Sequence, residues 1–385
     1  MQAFSFQTVP HIALEAGLAR RLGAVLRERH AGARACVVTD SFLHRSGALE
    51  PALASLATAG WEVLVIDDVI ADPPDEVVLA AAQRARGFGA ELVIGLGGGS
   101  SMDVAKLVAV LCGSDQPLAE MYGVNKVRGA RLPLVQIPTT AGTGSEVTPI
   151  AIVTTGKTTK SGVVAPQLYA DAALLDPELT VGLPPAATAA TGIDAMVHAI
   201  EAYTSKRLKN PLSDHLACKA LQLLCANLLP ACRNGADLDA RSAMLLGAML
   251  AGQAFANAPV GGVHALAYPL GGIFHVPHGL SNALVLPHVL RFNARVAARD
   301  YAELGSVVGL SAQGSIEARA EAFIAYLEQL ARDAGLQTSL RAVGVSDEDV
   351  PRLAADAMLQ QRLLMNNPCP LEERDAVAIY RRALA

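Results

Sequence analysis

Over the first 183 residues, short runs of β-branched and aliphatic residues alternate with stretches whose apolar positions recur at helical spacing. Ala35 to Thr39 (ACVVT), Trp61 to Ile66 (WEVLVI), Glu91 to Leu96 (ELVIGL) and Leu132 to Ile137 (LPLVQI) read as strands, the inner ones apolar on both faces. Helical patterns lie between them, for example Glu76 to Arg86 and Met102 to Leu111. Such alternation predicts parallel strands covered by helices. After Leu183-Pro184-Pro185 the pattern changes to long Ala- and Leu-rich helical segments, roughly 185 to 203, 211 to 228, 239 to 257, 314 to 334 and 371 to 383. Proline at a first helical position is a start signal and supports this reading. The expected organisation is an α/β domain with a parallel sheet over 1–183, then an all-α domain over 184–385.

From Ser242 to Leu290 there is no Lys, Arg, Asp or Glu. Pro259, Pro269, Pro277 and Pro287 are expected to cut this stretch into short pieces. The longest uninterrupted run, Ser242 to Ala258, has 17 residues, the lower end of what crosses a bilayer. Buried helices of a globular protein are the expectation, with no membrane partner, and burial makes the histidines within them informative.

Composition narrows the function. Hydrophobic residues are 52% and charged residues 17% of 385, enough apolar surface for more than one core and too little charge for an expanded chain. A net charge of -5 argues against nucleic acid as a partner. The six cysteines have no CxxC spacing, and MQAFSFQTVP lacks the marks of a signal peptide, so the expected compartment is the cytoplasm. Cys218, Cys225 and Cys232 recur every seven residues, about 10.5 Å apart along a helix. That is too far for a disulfide or one metal centre, and they read as buried small hydrophobes.

Gly97-Gly98-Gly99-Ser100 follows the strand ELVIGL and opens a helix near Ser101. Free backbone N–H groups and the helix dipole there suit an anion, so the turn reads as a phosphate site or as a tight packing turn. Gly95-Leu96-Gly97 with Ser100 only approximates GxGxxG. The best ribose-binding acid, Asp40, precedes the loop by over fifty residues, whereas in a Rossmann unit it follows by about twenty. Any dinucleotide fold here is therefore a non-standard, Rossmann-like one. A second polar loop, Pro138 to Glu146 (PTTAGTGSE), follows LPLVQI. It could bond phosphate or ribose, or be a turn with satisfied hydroxyls.

Asp194 and His198 are four apart in a helical pattern and share a face. His264 and His278 lie in the charge-free stretch, His278 in the turn Pro277-His278-Gly279. Three imidazoles and a carboxylate suit Fe²⁺ or Zn²⁺ without choosing between them, and each histidine could instead be a hydrogen-bonded core residue.

GGGSSMDVAK (97 to 106), PTTAGTGSEVT (138 to 148), TGIDAMVHAIEAY (191 to 203), VHALAYPLGG and PHGLSNALVLPHV (263 to 289) run in this order over nearly the whole chain. In them the chain resembles the iron-containing alcohol dehydrogenases, a family with the dehydroquinate synthase-like fold. The resemblance implies a dinucleotide domain followed by a helical metal domain, with catalysis in the cleft between them, in a homo-oligomer. It implies Asp194, His198, His264 and His278 as ligands of Fe²⁺, or of Zn²⁺ or another divalent ion. For NAD it implies Gly97, Gly98, Gly99 and Ser100 at the pyrophosphate, Thr139, Thr140 and Thr143 in the second loop, Lys160 near the nicotinamide ribose and Asp40 at the adenosine ribose.

Many relatives have a second histidine four residues after the His264 position, often proposed to relay protons; this chain has Tyr268. Tyr268 is the candidate catalytic position, expected to shape the substrate pocket and supply a hydrogen bond, because a phenol of ordinary pKa near 10 suits a relay poorly at neutral pH. The implied activity is metal-assisted, NAD-linked hydride transfer between small primary alcohols and aldehydes. The rivals are a metal-independent reductase resembling maleylacetate reductase, a metal- and NAD-holding lyase resembling dehydroquinate synthase, and a non-enzymatic nucleotide-binding protein.

Overall fold

The computed structural model describes residues 3–156 and 159–385. The chain separates into two compact units, Thr8–Gly182 and Leu183–Ala385, the second joined by the residues up to Gln7. The opening residues go with the helical unit for a local reason. Asn257 takes the Gln7 N–H on Oδ1 at 2.8 Å and returns Nδ2 to the Gln7 carbonyl at 2.9 Å, as a neighbouring strand would.

The α/β unit contains strands β1 (Ile12–Leu14), β2 (Arg34–Asp40), β3 (Glu62–Val69), β4 (Leu92–Gly97), β5 (Gly123–Val124), β6 (Leu134–Pro138), β7 (Ile150–Thr155), β8 (Thr159–Val164) and β9 (Ala172–Leu175). Its helices are α1 (Leu22–Arg27), α2 (Ser41–Arg45), α3 (Glu50–Thr58), α4 (Asp75–Phe88) and α5 (Gly99–Gly113). Six strands form one parallel sheet in the order β1-β9-β6-β4-β2-β3. Ala35 and Val37, Leu92, Ile94 and Leu96, Val135 and Ile137, and Ala172 and Leu174 turn to one face, packing on Leu22, Leu26, Leu49, Leu56 and Trp61. Cys36, Val38 and Val93 alternate with them and are also buried. Central strands buried on both faces need apolar residues at every position, as the sequence pattern predicts.

A second sheet, β5-β8-β7, adds an antiparallel pair, Ile150↔Val164 to Thr155↔Thr159, which the strand reading of the sequence does not anticipate. These strands mix Thr, Lys and Ser with apolar residues and lack the continuous apolar run that marks a buried parallel strand.

Gly95 of β4 is a packing glycine. A Cβ there would stand 2.0 Å from Gln136 Oε1 and 2.9 Å from the Ala105 Cβ, so β4 can face both α5 and the buried Gln136 only without a side chain.

In the helical unit, α6 (Pro185–Tyr203), α7 (Pro211–Arg233), α8 (Leu238–Asn257), α9 (Gly262–Phe274), α10 (His278–Val307), α11 (Ile316–Asp333), α12 (Val350–Ala357), α13 (Gln361–Leu364) and α14 (Glu373–Ala383) follow one another. Of the prolines expected to divide the charge-free stretch, Pro269 lies inside α9 and Pro287 inside α10. Each removes one backbone donor, and burial of the flanking apolar residues outweighs that loss. His278 is accordingly the first residue of a helix and not part of a free turn. The stretch is bent by 108° between α8 and α9. Among the described residues, α7 is the one helix that is by itself long and apolar enough to cross a bilayer. Its buried positions, among them Ala217, Leu221, Leu224, Cys225 and Leu228, form a face that packs on α6 and α8. Of its three cysteines Cys225 is buried, whereas Cys218 and Cys232 are only half-buried. The heptad drifts about 20° per repeat around an α-helix, so three members cannot all face inward equally.

Gly95→Ala is expected to destabilise the protein by about 1–3 kcal/mol through overpacking. In a Gln136→Ala background, which removes the clashing oxygen, the same change should lower the thermal unfolding midpoint much less.

Candidate metal centre and nucleotide loops

Helix α6 carries Asp194, His198 and Glu201 at i, i+4 and i+7, one face of an α-helix, and all three are buried. His264 comes from the first turn of α9 and His278 from the first residue of α10. Gly279 lets α10 meet α6 at close range, since a Cβ there would stand 2.3 Å from the Ala190 carbonyl oxygen. The opening N–H groups of α9 are satisfied by side chains. Asn367 Oδ1 accepts from Gly262 at 3.2 Å and Glu201 Oε1 accepts from Val263 at 2.7 Å.

One ligand atom each from Asp194, His198 and His264 can be chosen so that all lie within 4.8 Å of one another. Asp194 Oδ1 is 3.8 Å from His264 Nε2 and 3.5 Å from His278 Nε2. His198 stacks between Phe255 and His264, with ring centroids 4.3 and 4.8 Å away. His278 is the outer member, its side chain 40% exposed against 2–3% for Asp194 and His264. The Tyr268 ring, one turn beyond His264 on α9, lies 5.9 Å from the His278 ring.

Asn282 reports on what this arrangement can hold. Its Nδ2 donates to Asp194 Oδ1 at 2.6 Å and stands 3.3 Å from both His264 Nε2 and His278 Nε2. Three electron-pair donors from three residues thus converge on one electropositive nitrogen. Donors shared by a tetrahedral cation at about 2.1 Å would be about 3.4 Å apart, close to the 3.5 and 3.8 Å from Asp194 Oδ1 to the His278 and His264 nitrogens, so these residues fit a divalent metal. Glu201 completes the fit. Its Oε2 takes the Nδ1 proton of His264 at 2.7 Å, which leaves the Nε2 lone pair facing Asp194. Burial pushes the Asp194 carboxyl up, but the fields of His198, His278 and His264 and the Asn282 hydrogen bond outweigh it and hold the group below its ordinary value.

In the α/β unit, β2 is followed by β3 on one side, and the chain then returns to β4 on the other. The carboxyl ends of β2 and β4 therefore flank the switch point, where open sheets collect ligands. Asp40 ends β2, and Gly97 ends the neighbouring β4. Asp40 Oδ1 caps α2, accepting from Phe42 at 3.0 Å and Leu43 at 2.9 Å. The glycine turn leads into α5, which begins at Gly99 with Gly98 as its extended cap. No side-chain hydrogen bond caps the start of α5, so the N–H groups at the head of that helix form a cradle suited to a pyrophosphate. Thr140 and Thr143 overhang it: a Cβ on Gly98 would be 3.8 Å from Thr140 Cγ2, and one on Gly99 only 2.7 Å from Thr143 Cγ2. Thr139 is buried and donates its N–H to the Gly97 carbonyl at 3.0 Å. Lys160 sits on β8 with its ammonium 2.7 Å from Asp72 Oδ1 and 3.0 Å from Thr154 Oγ1.

The residues from 10 to 177 match the family model for iron-containing alcohol dehydrogenase, and those from 188 to 384 match that for the C-terminal part of the same family. The chain belongs to the iron-containing alcohol dehydrogenase family. Among curated relatives of the family it is 43% identical to long-chain-alcohol dehydrogenase 1 of Geobacillus thermodenitrificans, over 91% of this chain and 89% of that one. Among solved structures it resembles a 1,3-propanediol oxidoreductase, with a TM-score of 0.95 and 34% identity over 99% of this chain and all of the other. It also resembles the sulfoacetaldehyde reductase of Bifidobacterium kashiwanohense in complex with NAD⁺, with a TM-score of 0.90 and 27% identity over the whole of both chains.

Sequence reasoning missed Glu201 and Asn282. Glu201 carried a signal, lying seven residues after Asp194 on the same helical face. Asn282 lies four after His278, a spacing that means something only once His278 is known to start a helix.

Glu201→Gln should lower the affinity for a divalent metal about 10- to 100-fold while the protein stays folded, because one of two buried donors then meets an amide N–H₂. Competition against a chelator reads this directly, and wild-type affinity in the variant would contradict the role given to Glu201.

Proposed function

We propose that the protein is a metal-dependent, NAD-linked alcohol dehydrogenase that interconverts small primary alcohols and aldehydes. The observation that carries this reading is the convergence of Asp194, His264 and His278 on the Asn282 amide, with His198 completing the donor set, in a chain of this family. Fe²⁺ is the first choice of metal and Zn²⁺ the second, since the donor types suit both. The relative solved with NAD⁺ supports the cofactor. Names of relatives that specify long-chain alcohols and 1,3-propanediol support the substrate class. Six free thiols support a cytoplasmic protein, and the family resemblance supports a homo-oligomer.

When bound, a divalent cation supplies Lewis acidity that lowers the pKa of an alcohol, and a nicotinamide supplies the hydride acceptor. Asp194, His198, His264 and His278 would hold the cation, with Glu201 fixing the His264 tautomer. The exposed side of His278 is where substrate reaches the donor set, and the neighbouring Tyr268 ring bounds that approach and offers a hydroxyl for a hydrogen bond. The apolar Phe255 face behind His198 keeps water from that side. In the α/β unit, Gly97 to Ser100 would receive the pyrophosphate, Thr139, Thr140 and Thr143 close over it, Lys160 meets the nicotinamide ribose and Asp40 the adenosine ribose.

A metal-independent reductase has no use for a buried carboxylate facing three imidazoles, so the donor set argues against that rival. A lyase that regenerates its cofactor within each turnover would release no NADH. The deciding experiment couples metal analysis to an NAD⁺-linked screen of alcohols graded by chain length. Removal of metal should abolish NADH production, Fe²⁺ or Zn²⁺ should restore it, and His264→Ala should lose both metal and turnover while remaining folded. Undiminished turnover in a metal-depleted preparation would reject the proposal.

Asp40 should set cofactor preference, since its carboxylate repels a 2′-phosphate. Asp40→Asn keeps the cap on α2 and removes the charge. The ratio of kcat/KM for NAD⁺ to that for NADP⁺ should fall at least about tenfold, and an unchanged ratio would show that Asp40 only caps the helix.

A further inference from the structure

Lys106 is fully buried in α5 and has no role in the chemistry above. Its three N–H donors are all engaged, with Ile150 O at 2.6 Å, Ser145 Oγ at 2.7 Å and Thr148 Oγ1 at 3.2 Å. Asp103, one turn earlier, stands 3.5 Å from the ammonium. It accepts from Ser145 Oγ at 2.6 Å on Oδ1 and from the Ile152 N–H at 2.9 Å on Oδ2. Every partner outside α5 belongs to the end of the second polar loop or to β7 beyond it. The start of that loop is tied separately, by the bond from Thr139 N–H to the Gly97 carbonyl. Between the two anchors hang Thr140 and Thr143, the side chains that overhang Gly98 and Gly99. Gly144, with φ +61°, makes the turn into the second anchor.

A buried ammonium with this many partners is expensive, and an apolar side chain of similar length would serve stability as well or better. Directional bonds to one loop are what an apolar side chain cannot supply. We propose that Asp103, Lys106 and Ser145 are positioning residues that latch the second loop over the glycine turn and so set the width of the cradle for a pyrophosphate. This rests on the nucleotide reading above and adds which residues hold the site open to the correct width. The Ser145 hydroxyl gives its only hydrogen to Asp103 and accepts from Lys106, so it has no donor left for a pyrophosphate, and its effect on binding is indirect. Burial pushes the Lys106 amine down, opposed by the fields of Asp103 and Glu146, and pushes the buried Glu146 carboxyl up to about 7.

The test is calorimetric titration of the metal-loaded full chain with NAD⁺, ADP and adenosine, in wild type, Ser145→Ala and Asp103→Asn. Wild-type protein that binds neither NAD⁺ nor ADP would remove the nucleotide reading itself, and the latch with it. Given wild-type binding, Ser145→Ala should raise the Kd of NAD⁺ and ADP at least about tenfold, leave adenosine and metal content unchanged, and raise KM for NAD⁺ with kcat at saturation within about threefold. Asp103→Asn keeps the shape and should act in the same direction, and it carries the comparison if Ser145→Ala fails to fold. Wild-type Kd values for ADP and NAD⁺ in a folded variant whose melting temperature alone has dropped would show the cluster to be purely structural and overturn the inference.

Discussion

The Glu201 carboxylate is the interaction on which the helical unit's site depends. One oxygen closes the start of α9 through Val263, and the other fixes the ring of His264. Backbone and side chain of the same turn are thereby referred to α6, the helix that also carries Asp194 and His198. In surroundings almost free of other charge, an unpaired donor or acceptor is costly. The first turn of α9 is therefore held by a closed set of partners: Glu201, Asn367 at Gly262, and Asn293, which exchanges amide hydrogen bonds with Asn367. Apolar packing around the donors serves the same end, because the Phe255 and His264 rings on either side of His198 restrict its rotation.

The same economy of space governs the α/β unit, where glycine decides how closely backbones approach. Gly95 admits Gln136, which bonds the Met102 carbonyl inside the start of α5. Gly99 admits Thr143. Both loops are thus brought together by missing side chains and held there by a buried polar cluster. The order β2, β3, then β4 on the other side of β2 explains how an acid that precedes the glycine turn by over fifty residues comes to stand at the end of the adjacent strand. Chain order and spatial order differ at the switch point, and the acid sits where the sheet, not the sequence interval, puts it.

Much of this was legible in the sequence. Continuous apolar runs of strand length that alternate with helical patterns point to a parallel sheet buried on both faces, so β2, β4 and β6 and their covering helices follow from pattern alone. Four-residue spacing puts Asp194 and His198 on one face of a helix whatever surrounds it. Local periodicity also contained Glu201, unread because a carboxylate seven residues from a ligand acquires meaning only when the histidine it contacts is known.

The remaining features depend on contacts between segments far apart in the chain. Whether Pro269 and Pro287 end a helix or ride inside one is decided by the burial of their neighbours, which no local rule contains. The position of His278 at the head of α10, the meeting of Gly279 with Ala190, and the pairing of Asn282 with Asp194 across 88 residues depend on which helix faces which. Lys106 read only as part of a motif, and its partners lie some 40 residues on. Sequence determines residue chemistry and periodicity, because these arise from covalent structure and nearest turns. Tertiary structure decides which lone pairs converge, because convergence depends on packing among elements whose separation along the chain carries no distance information.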